Sequence, residues 1–479
     1  MAHVLVIGGG IGGLATALLA ARRGHTVELF ERDVRAPGTA LDRDFFGWRR
    51  PAVPQAGHPH ALLGAARNLL RDELPDVHAE MLRLGARERH ELDWFDVRPP
   101  ARTGDEDLVM LQARRIVLES ALATALRAEP GVVARYGEPV TGLLTAGSGG
   151  SGGSGGVGGG GEGGSSAVCV TGVTTEAGAY AGDLVVDAGG RRGGAERWLA
   201  AAGCRPAVVE RHRTGLAYFC RWYRLPEGRE EGPRRPWAVS GGPFAGCAVF
   251  PADNRVFAVA LFVHTEDPTR SALRDPAVFE AAARSFPPGG AWLDLGAEPM
   301  SEVLATAGLD NRWSALVDGH GPVVCGFVPV GDAVTHTNPT LGQGTSLALW
   351  AASRVARTAH QDPGSVRFAA EYHAWTVRTL KPWFDFQVVA DEAIGERFAT
   401  RAGRSGAARE AAALFECALE DPEVMRTRAR VRHLADPPER AYADPEIRAR
   451  VARWLAERPG YVPNDAGPSR ARWEELTKG

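Results

Sequence analysis

Gly8, Gly10 and Gly13 stand in GxGxxG spacing, with Gly12 inside the turn, directly after the apolar run Val4 to Ile7. Without side chains, such a turn lets backbone amides close on a pyrophosphate, and the N-terminus of the following helix offers its oxygens roughly half a positive charge. A helix is predicted from Leu14 to Arg22 and a second strand from Thr26 to Phe30. That strand ends at Glu31, 18 residues after Gly13 and followed by Arg32, close to where an acid that binds a ribose diol belongs. The order of strand, glycines, helix, strand and acid specifies a dinucleotide cradle and leaves NAD and FAD both open. A glycine turn that binds nothing is the alternative.

A second set of residues lies more than three hundred positions downstream. The apolar run Phe327 to Val330 ends in Gly331-Asp332, then Asn338-Pro339-Thr340-Leu341-Gly342-Gln343-Gly344 leads into an apolar helix from Thr345. An Asp at the carboxyl end of a strand can accept hydrogen bonds from a polyol, and a glycine-rich helix start can face a ring that becomes anionic on reduction. Those two needs belong to a flavin. NAD has no ribityl chain to hold, so Asp332, Pro339, Gly342, Gln343 and Gly344 tip the choice toward FAD.

The elements around these motifs are drawn from 479 residues, 44% of them hydrophobic, which is ample to bury a core. At about 150 residues per domain the length suits three units or one large two-lobed enzyme. The net charge of −3 excludes a nucleic-acid binder acting by bulk charge and a disordered polyanion. Six scattered cysteines, with no CxxC pair and no matching histidine spacing, argue against a disulfide framework or zinc site and for a reducing cytoplasm. Val4 to Ala21 is apolar enough to imitate a membrane span, but five glycines break it and it reads as strand, loop and helix. No other stretch is long enough to cross a bilayer.

Strands are expected at Pro139 to Leu144 and Val168 to Val173, on either side of the Gly/Ser stretch Gly147 to Ser166, which gains too little burial to order and reads as a mobile hairpin loop. Gly215 to Leu225 and a hairpin from Cys247 to Val263, turning at Pro251 to Arg255, mark a strand-rich lobe. From Thr345 onward the chain is rich in Ala, Arg and Glu with helical spacing. There is no internal repeat.

This layout resembles the para-hydroxybenzoate hydroxylase superfamily of FAD monooxygenases, and more closely its polyether epoxidase branch, typified by the monensin and lasalocid epoxidases. The resemblance runs over about residues 1 to 385. Arg50-Pro51-Ala52-Val53-Pro54-Gln55 leads into His58-Pro59-His60 as that branch's loop does, and Arg115 opens Arg115-Ile116-Val117-Leu118-Glu119. Asp183-Leu184-Val185-Val186-Asp187-Ala188-Gly189-Gly190-Arg191, followed by Trp198-Leu199, matches a strand of the branch. Pro51 and Ala52 depart from its usual Lys-Gly, and Gly193 stands where it has a Ser.

The resemblance implies an α/β fold: a Rossmann-like FAD-binding domain of mainly parallel sheet flanked by helices and a β-meander, a β-sheet substrate domain and a helical C-terminal region. The implied boundaries are 1–77, 107–200 and 301–385 for the first, 78–106 and 201–300 for the second, and 386–479 for the third. By the same resemblance Arg50 and Arg115 contact the FAD phosphates or the flavin edge, Val53 and Gln55 lie near the ring, and Asp332 holds the ribityl chain. A core or surface ion pair is the alternative for each arginine. NADPH or NADH would reduce the flavin, O2 would add to it as a hydroperoxide, and one oxygen atom would pass to an electron-rich, fairly apolar small molecule. Such chemistry needs no dedicated catalytic side chain, and the chain has no Ser-His-Asp signature or GxSxG.

Other flavoenzyme classes fit less well. No lysine precedes Lys381 and no WxWxIP segment is present, which argues against a halogenase. The second glycine fingerprint of two-Rossmann Baeyer-Villiger enzymes is also missing, although a ketone substrate stays open. The leading expectation is an epoxidase or hydroxylase of specialised metabolism, such as antibiotic biosynthesis. The alternatives are a reductase of the geranylgeranyl reductase kind and a non-catalytic dinucleotide-binding flavoprotein.

His58 and His60 alternate along an extended segment, as a two-histidine metal site requires, but no third ligand is evident. They face flavin or substrate, or pack at the start of the next helix. Trp383, Phe384 and Phe386 either wall a substrate cavity or belong to the core.

Overall fold

The structure, a computed structural model, describes every residue except 49, 51, 52, 54, 147–166, 233–238, 243, 400–405, 462–465 and 479. The Gly/Ser stretch read as a mobile loop, and Pro51, Ala52 and Pro54 of the family-like loop, therefore lie outside the described residues. Strand β1 (His3–Ile7) is followed by α1 (Ile11–Ala21), β2 (Thr26–Glu31), α2 (Arg115–Arg127) and β3 (Val132–Tyr136). Then come β4 (Gly142–Thr145) and β5 (Val168–Thr174), which pair antiparallel, and β6 (Leu184–Asp187). Val4, Leu5 and Val6 are fully buried, as suits a strand covered on both faces of a parallel sheet.

The strand-rich lobe contains β7 (Leu216–Arg224), β8 (Ala245–Pro251) and β9 (Val256–His264), in one antiparallel sheet. The β8–β9 turn falls where the sequence places it, with Asn254 and Arg255 both at positive φ. Helices α3 (Pro276–Arg284) and α4 (Pro287–Leu293) follow, then β10 (Leu304–Ala307), which pairs with β7. Alternation gives this sheet two apolar faces. Phe219, Tyr223, Val249, Val259 and Leu261 pack on Phe279 of α3 and Trp292 of α4. The opposite face carries Tyr218, Cys220, Ala248, Phe250, Ala260 and Phe262.

The chain returns through β11 (Val324–Cys325) and β12 (Phe327–Pro329) to α5 (Gly344–Thr358) and α6 (Lys381–Ala399). Strand β12 completes a five-stranded sheet of order β12-β6-β1-β2-β3, parallel throughout. Its register sets the site: Ile7 pairs with Asp187, and Asp187 pairs with Pro329. The turns after β1 and β12 therefore leave the same sheet edge, the carboxyl edge where open α/β sheets bind ligands. Leu14 and Leu18 of α1, Leu118 and Leu122 of α2, and Leu347 and Val355 of α5 share one core. Each fully buried Leu or Val contributes about 1.5–3 kcal/mol.

One expectation about cysteines is corrected. Strand β11 pairs in parallel with β5 so that Cys325 stands opposite Cys169, and the two form a disulfide across 156 residues of chain. Pairing at that separation comes from strand register, which cysteine spacing does not encode. At the C-terminal end, α7 (Gly406–Ala418), α8 (Pro422–Arg432) and α9 (Pro445–Ala456) close a smaller core over Leu92 and Trp94. Helix α10 (Arg470–Thr477) returns to the β7–β9 sheet, burying Trp473 beside Phe286. Among the described residues no helix is long and apolar enough to cross a membrane.

Candidate functional site

The turns after β1 and β12 open on one cavity of about 850 Å3, at the upper end of the range for ligand pockets. Gly8, Gly10, Gly12, Glu31 and Arg32 line one part of it, while Val53, Gln55, Asp332, Pro339 and Gly342 to Gly344 line another. Helix α1 begins at Gly10 and α5 at Gln343, and neither start has a side-chain cap or an acid in its first turn. Two sets of unsatisfied backbone N–H groups, each at a positive dipole end, therefore meet the same space. Gly8 sits at φ 101° with Ala188 O only 2.6 Å from where a Cβ would be, so no other residue fits that turn. Gly13, the last glycine of the motif, packs within the turn. It does not line the cavity, and its missing Cβ lets α1 lie against the carbonyl of Gly8, which a Cβ would meet at 1.8 Å.

The charged residues are braced from behind. Glu31 accepts hydrogen bonds from the backbone N–H of Gly9 and, at 2.8 Å, of Asp33. Arg115 lies beside Gly10 and donates to Glu119 at 2.9 Å. Arg50, read either as a cofactor contact or as an ion-pair residue, is not among the residues that line the cavity. It is buried in ion pairs with Glu119 at 2.6 Å and Asp33 at 3.2 Å, and its guanidinium lies over the Trp48 ring. A guanidinium without such partners would cost several kcal/mol to bury, so the two acids hold Arg50 behind Arg115.

His58 and His60 both reach the cavity but engage different elements. Burial, helped by the charge on Arg115, pushes His60 down to about 3, so the ring is neutral. Arg115 can only donate, so His60 Nε2 accepts from it at 3.4 Å and Nδ1–H donates to the His58 carbonyl at 2.9 Å. His58 is pushed down to about 4 by burial and meets the Cys220 thiol at 3.3 Å, across to strand β7. Among the described residues no group of three or more His, Cys, Asp or Glu could hold a metal.

Trp383 and Phe384, read as either cavity wall or core, do not line the cavity. Both are buried in the main core, with Phe384 against Trp313, while Phe386 on the same helix does reach the cavity. Three groups of lining residues are not singled out one by one as cavity residues in the sequence. One is the β7–β9 face, where both faces of the strands are apolar and periodicity alone does not say which is open. Another is Phe415, Arg428 and Tyr442 of the C-terminal region, where Arg428 lies 4.4 Å over the Phe415 ring and is lowered to about 10 by burial. The third is the basic group Arg191, Arg192 and Arg197, whose only sequence signal is their position after the strand that ends at Asp187.

The residues present fit a dinucleotide with a polyol-linked ring. Two uncapped helix starts suit two electron-rich ends, and Gln343 offers a buried side-chain oxygen with no partner of its own. Among the described residues Asp332 is held by Gln55 Nε2–H alone, at 3.5 Å, which leaves its carboxylate available for further donors.

Comparison with known proteins agrees with this geometry. Residues 6–71 match the family described as NAD(P)-binding Rossmann-like domain. Protein Rv3254 of Mycobacterium tuberculosis (strain ATCC 25618 / H37Rv) is 24% identical over 424 residues, covering 81% of this chain and 80% of that one. PqsL of Pseudomonas aeruginosa, described as a probable FAD-dependent monooxygenase, is similar in structure with a TM-score of 0.58 at 19% identity, over 83% of this chain and 98% of that one. The flavin-dependent brominase Bmp2 gives 0.61 at 15% identity, over 95% and 100%. The anhydrotetracycline hydroxylase OxyS from Streptomyces rimosus gives 0.53 at 18% identity, over 91% and 76%. The chain therefore has the Rossmann-like α/β fold of FAD-dependent monooxygenases.

Proposed function

We propose that this chain is an FAD-dependent monooxygenase that takes electrons from NADPH or NADH and inserts one atom of O2 into an electron-rich, fairly apolar small molecule by epoxidation or hydroxylation. The observation that carries the reading is the meeting of two uncapped helix starts, at Gly10 and Gln343, on a cavity that an apolar sheet face also lines. FAD, when bound, supplies the activation of O2 and the oxygen transfer. The chain supplies position, charge and dryness.

In this reading Gly8, Gly10 and Gly12 with Arg115 hold the pyrophosphate, Glu31 the adenosine ribose, and Asp332 the ribityl chain. Pro339 and Gly342 to Gly344, with Val53 and Gln55, border the flavin ring. The neutral rings of His58 and His60 leave that side of the cavity without a titrating acid near pH 7. The sheet face of Tyr218, Cys220, Ala248, Phe250, Ala260 and Phe262 receives the substrate. The division into an FAD-binding domain (1–77, 107–200, 301–385), a substrate domain (78–106, 201–300) and a helical region (386–479) belongs to the same proposal, as does a place in the cytoplasm. The loop from Arg50 to His60 and the Asn338 to Gly344 motif favour an epoxidase-like member acting in specialised metabolism.

The test loads the purified chain with FAD, supplies NADPH or NADH with electron-rich alkenes and arenes under 18O2, and analyses the products. Incorporation of one labelled oxygen atom per product is expected. Unlabelled products with altered carbon–carbon bonds would move the chain to the reductases, and a protein that refuses FAD would overturn the reading altogether.

A further inference from the structure

Between the Asn338 to Gly344 segment and α6 runs a buried hydrogen-bond chain whose polarity is fixed from one end. The fixed end is the backbone N–H of Asn338, which can only donate, and Asn311 Oδ1 accepts it at 2.7 Å. With the oxygen of Asn311 so identified, its Nδ2 is the atom that donates to Asp391 Oδ2 at 2.7 Å. Oδ1 of Asp391 accepts from Asn338 Nδ2 at 3.0 Å and from the Thr340 hydroxyl at 2.6 Å. These three donors, with the Gln387 amide as a fourth, face the two oxygens, so Asp391 acts as an acceptor on every side. Asn311 and Asn338 are fully buried and Asp391 nearly so, so no solvent competes for these bonds.

The amide of Asn338 is oriented as a result, nitrogen toward Asp391 and oxygen toward β7. Tyr218 Oη lies 2.7 Å from that oxygen. An amide oxygen carries no hydrogen, so the phenol must be the donor. Among the described residues Asn338 is the only hydrogen-bond partner of this hydroxyl. Burial, with the nearby Asp391 charge, holds the phenol well above its ordinary value, so it keeps its proton. That proton is committed to Asn338, and the free capacity of Oη is lone pair alone. Tyr218 stands on the cavity wall beside Phe262, ring centroids 6.4 Å apart, amid apolar residues.

We propose that Tyr218 is a specificity-determining residue that accepts a hydrogen bond from the substrate, so that the substrate carries an O–H or N–H donor on the part of its apolar skeleton laid against β7. The proposal rests on the monooxygenase reading and names the substrate class that reading leaves open. Asp391, two residues removed from contact, is the positioning residue that keeps Asn338 turned and Tyr218 in its acceptor role. A ligand of the same shape bearing only an acceptor at that point would meet lone pair with lone pair.

The test measures calorimetric binding of 2-naphthol and 2-methoxynaphthalene to the FAD-loaded protein at pH 7, two probes of one ring system in which a methyl group replaces the donor hydrogen, with Tyr218→Phe as the control for the added methyl. The native chain is expected to bind 2-naphthol about tenfold more tightly, the size of one neutral hydrogen bond. Tyr218→Phe should bring the two within about twofold by weakening 2-naphthol only. Asp391→Asn frees the Asn338 amide to turn, so Tyr218 can donate and the ratio should fall through a gain for 2-methoxynaphthalene. A Tyr218→Phe chain that weakens both probes equally, a native chain that does not distinguish them, or an FAD-loaded chain that binds neither overturns the proposal. A chain that takes up no FAD fails the monooxygenase reading instead, so the two failures are distinguishable.

Discussion

The two walls of the cavity are built from different parts of the polypeptide. On the nucleotide wall the working groups are main-chain amides at helix starts, and the side chains that matter are absent, as at Gly8, or are charges braced from behind, as at Glu31 and Arg115. On the sheet wall the main chain is used up in strand pairing, and the side chains of Tyr218, Phe250, Ala260 and Phe262 define the space. A ligand shared by many proteins can be met by backbone geometry, whereas a particular substrate must be met by side chains. Substitutions on the first wall should therefore act by collision or lost charge, and those on the second by altered shape.

The strongest way to break this contrast is Gly13→Ala. The new Cβ would meet the Gly8 carbonyl, which belongs to the turn itself and cannot swing aside. A loss of at least about 3 kcal/mol in stability is expected, together with loss of FAD retention, read by denaturant melts and bound-flavin absorbance. Normal FAD content in this variant would sink the idea that backbone approach makes the wall.

Titration adds a second handle, because buried groups around the cavity shift in opposite directions. Burial pushes Asp187, behind the nucleotide turn, up to about 6. The native state then holds a proton that the unfolded chain has already released between about pH 4 and 6, so stability falls as pH rises through that window. Asp187→Asn should raise stability by about 3 kcal/mol at pH 8 and by little at pH 3.5. His58 and His60 are lowered instead, to about 4 and about 3. The unfolded chain takes up protons below about pH 6.5 that the native rings refuse, so their contribution is lost as pH falls. His60→Gln should flatten the acid limb of a stability profile, and an unchanged limb would rule the ring out as its cause.

Arg115→Ala tests charge. Loss of one charge-assisted contact should weaken FAD binding by about 1.5–3 kcal/mol, roughly ten- to hundredfold, by equilibrium titration. Arg50 should not compensate, since Glu119 and Asp33 already hold it. The smallest effect is expected at Gly246→Ala on the sheet wall. A Cβ there would press on the tip of the Phe262 ring, which can turn away at a cost of about 1 kcal/mol. FAD content should stay native while the affinity for apolar probes changes. A loss of FAD would show the walls to be less separate than they look.

How far the site can be read without coordinates follows the same division. The β1–α1–β2 unit, the strand ending at Asp187 and the Gly331 to Gly344 segment are legible because each is a local pattern of apolar run, glycine and helix start. Arg50 and Arg115 look alike in sequence, each the second of two adjacent arginines near a motif, and both pair with Glu119, so only the tertiary placing of Asp33 beside Arg50 sets it apart from the residue on the cavity wall. Trp383 and Phe384 read as either wall or core, and the packing of α6 on Trp313 decides for core. Phe415 and Tyr442 carry no local signal, since they reach the cavity only through the docking of α7 and the segment after α8. Cys169 and Cys325 meet through strand register alone.

From its sequence alone this chain is committed to a dinucleotide cradle at its start, a second glycine-rich helix start far downstream, and strands with apolar faces between them. These are consequences of short-range sterics and periodicity, which act within a turn or two of chain. The tertiary structure decided that Ile7, Asp187 and Pro329 share one sheet edge, which face of β7 is open, and which way the Asn338 amide points. Those outcomes depend on hydrogen bonds and contacts between residues tens to hundreds of positions apart, whose partners are chosen only when the whole core closes.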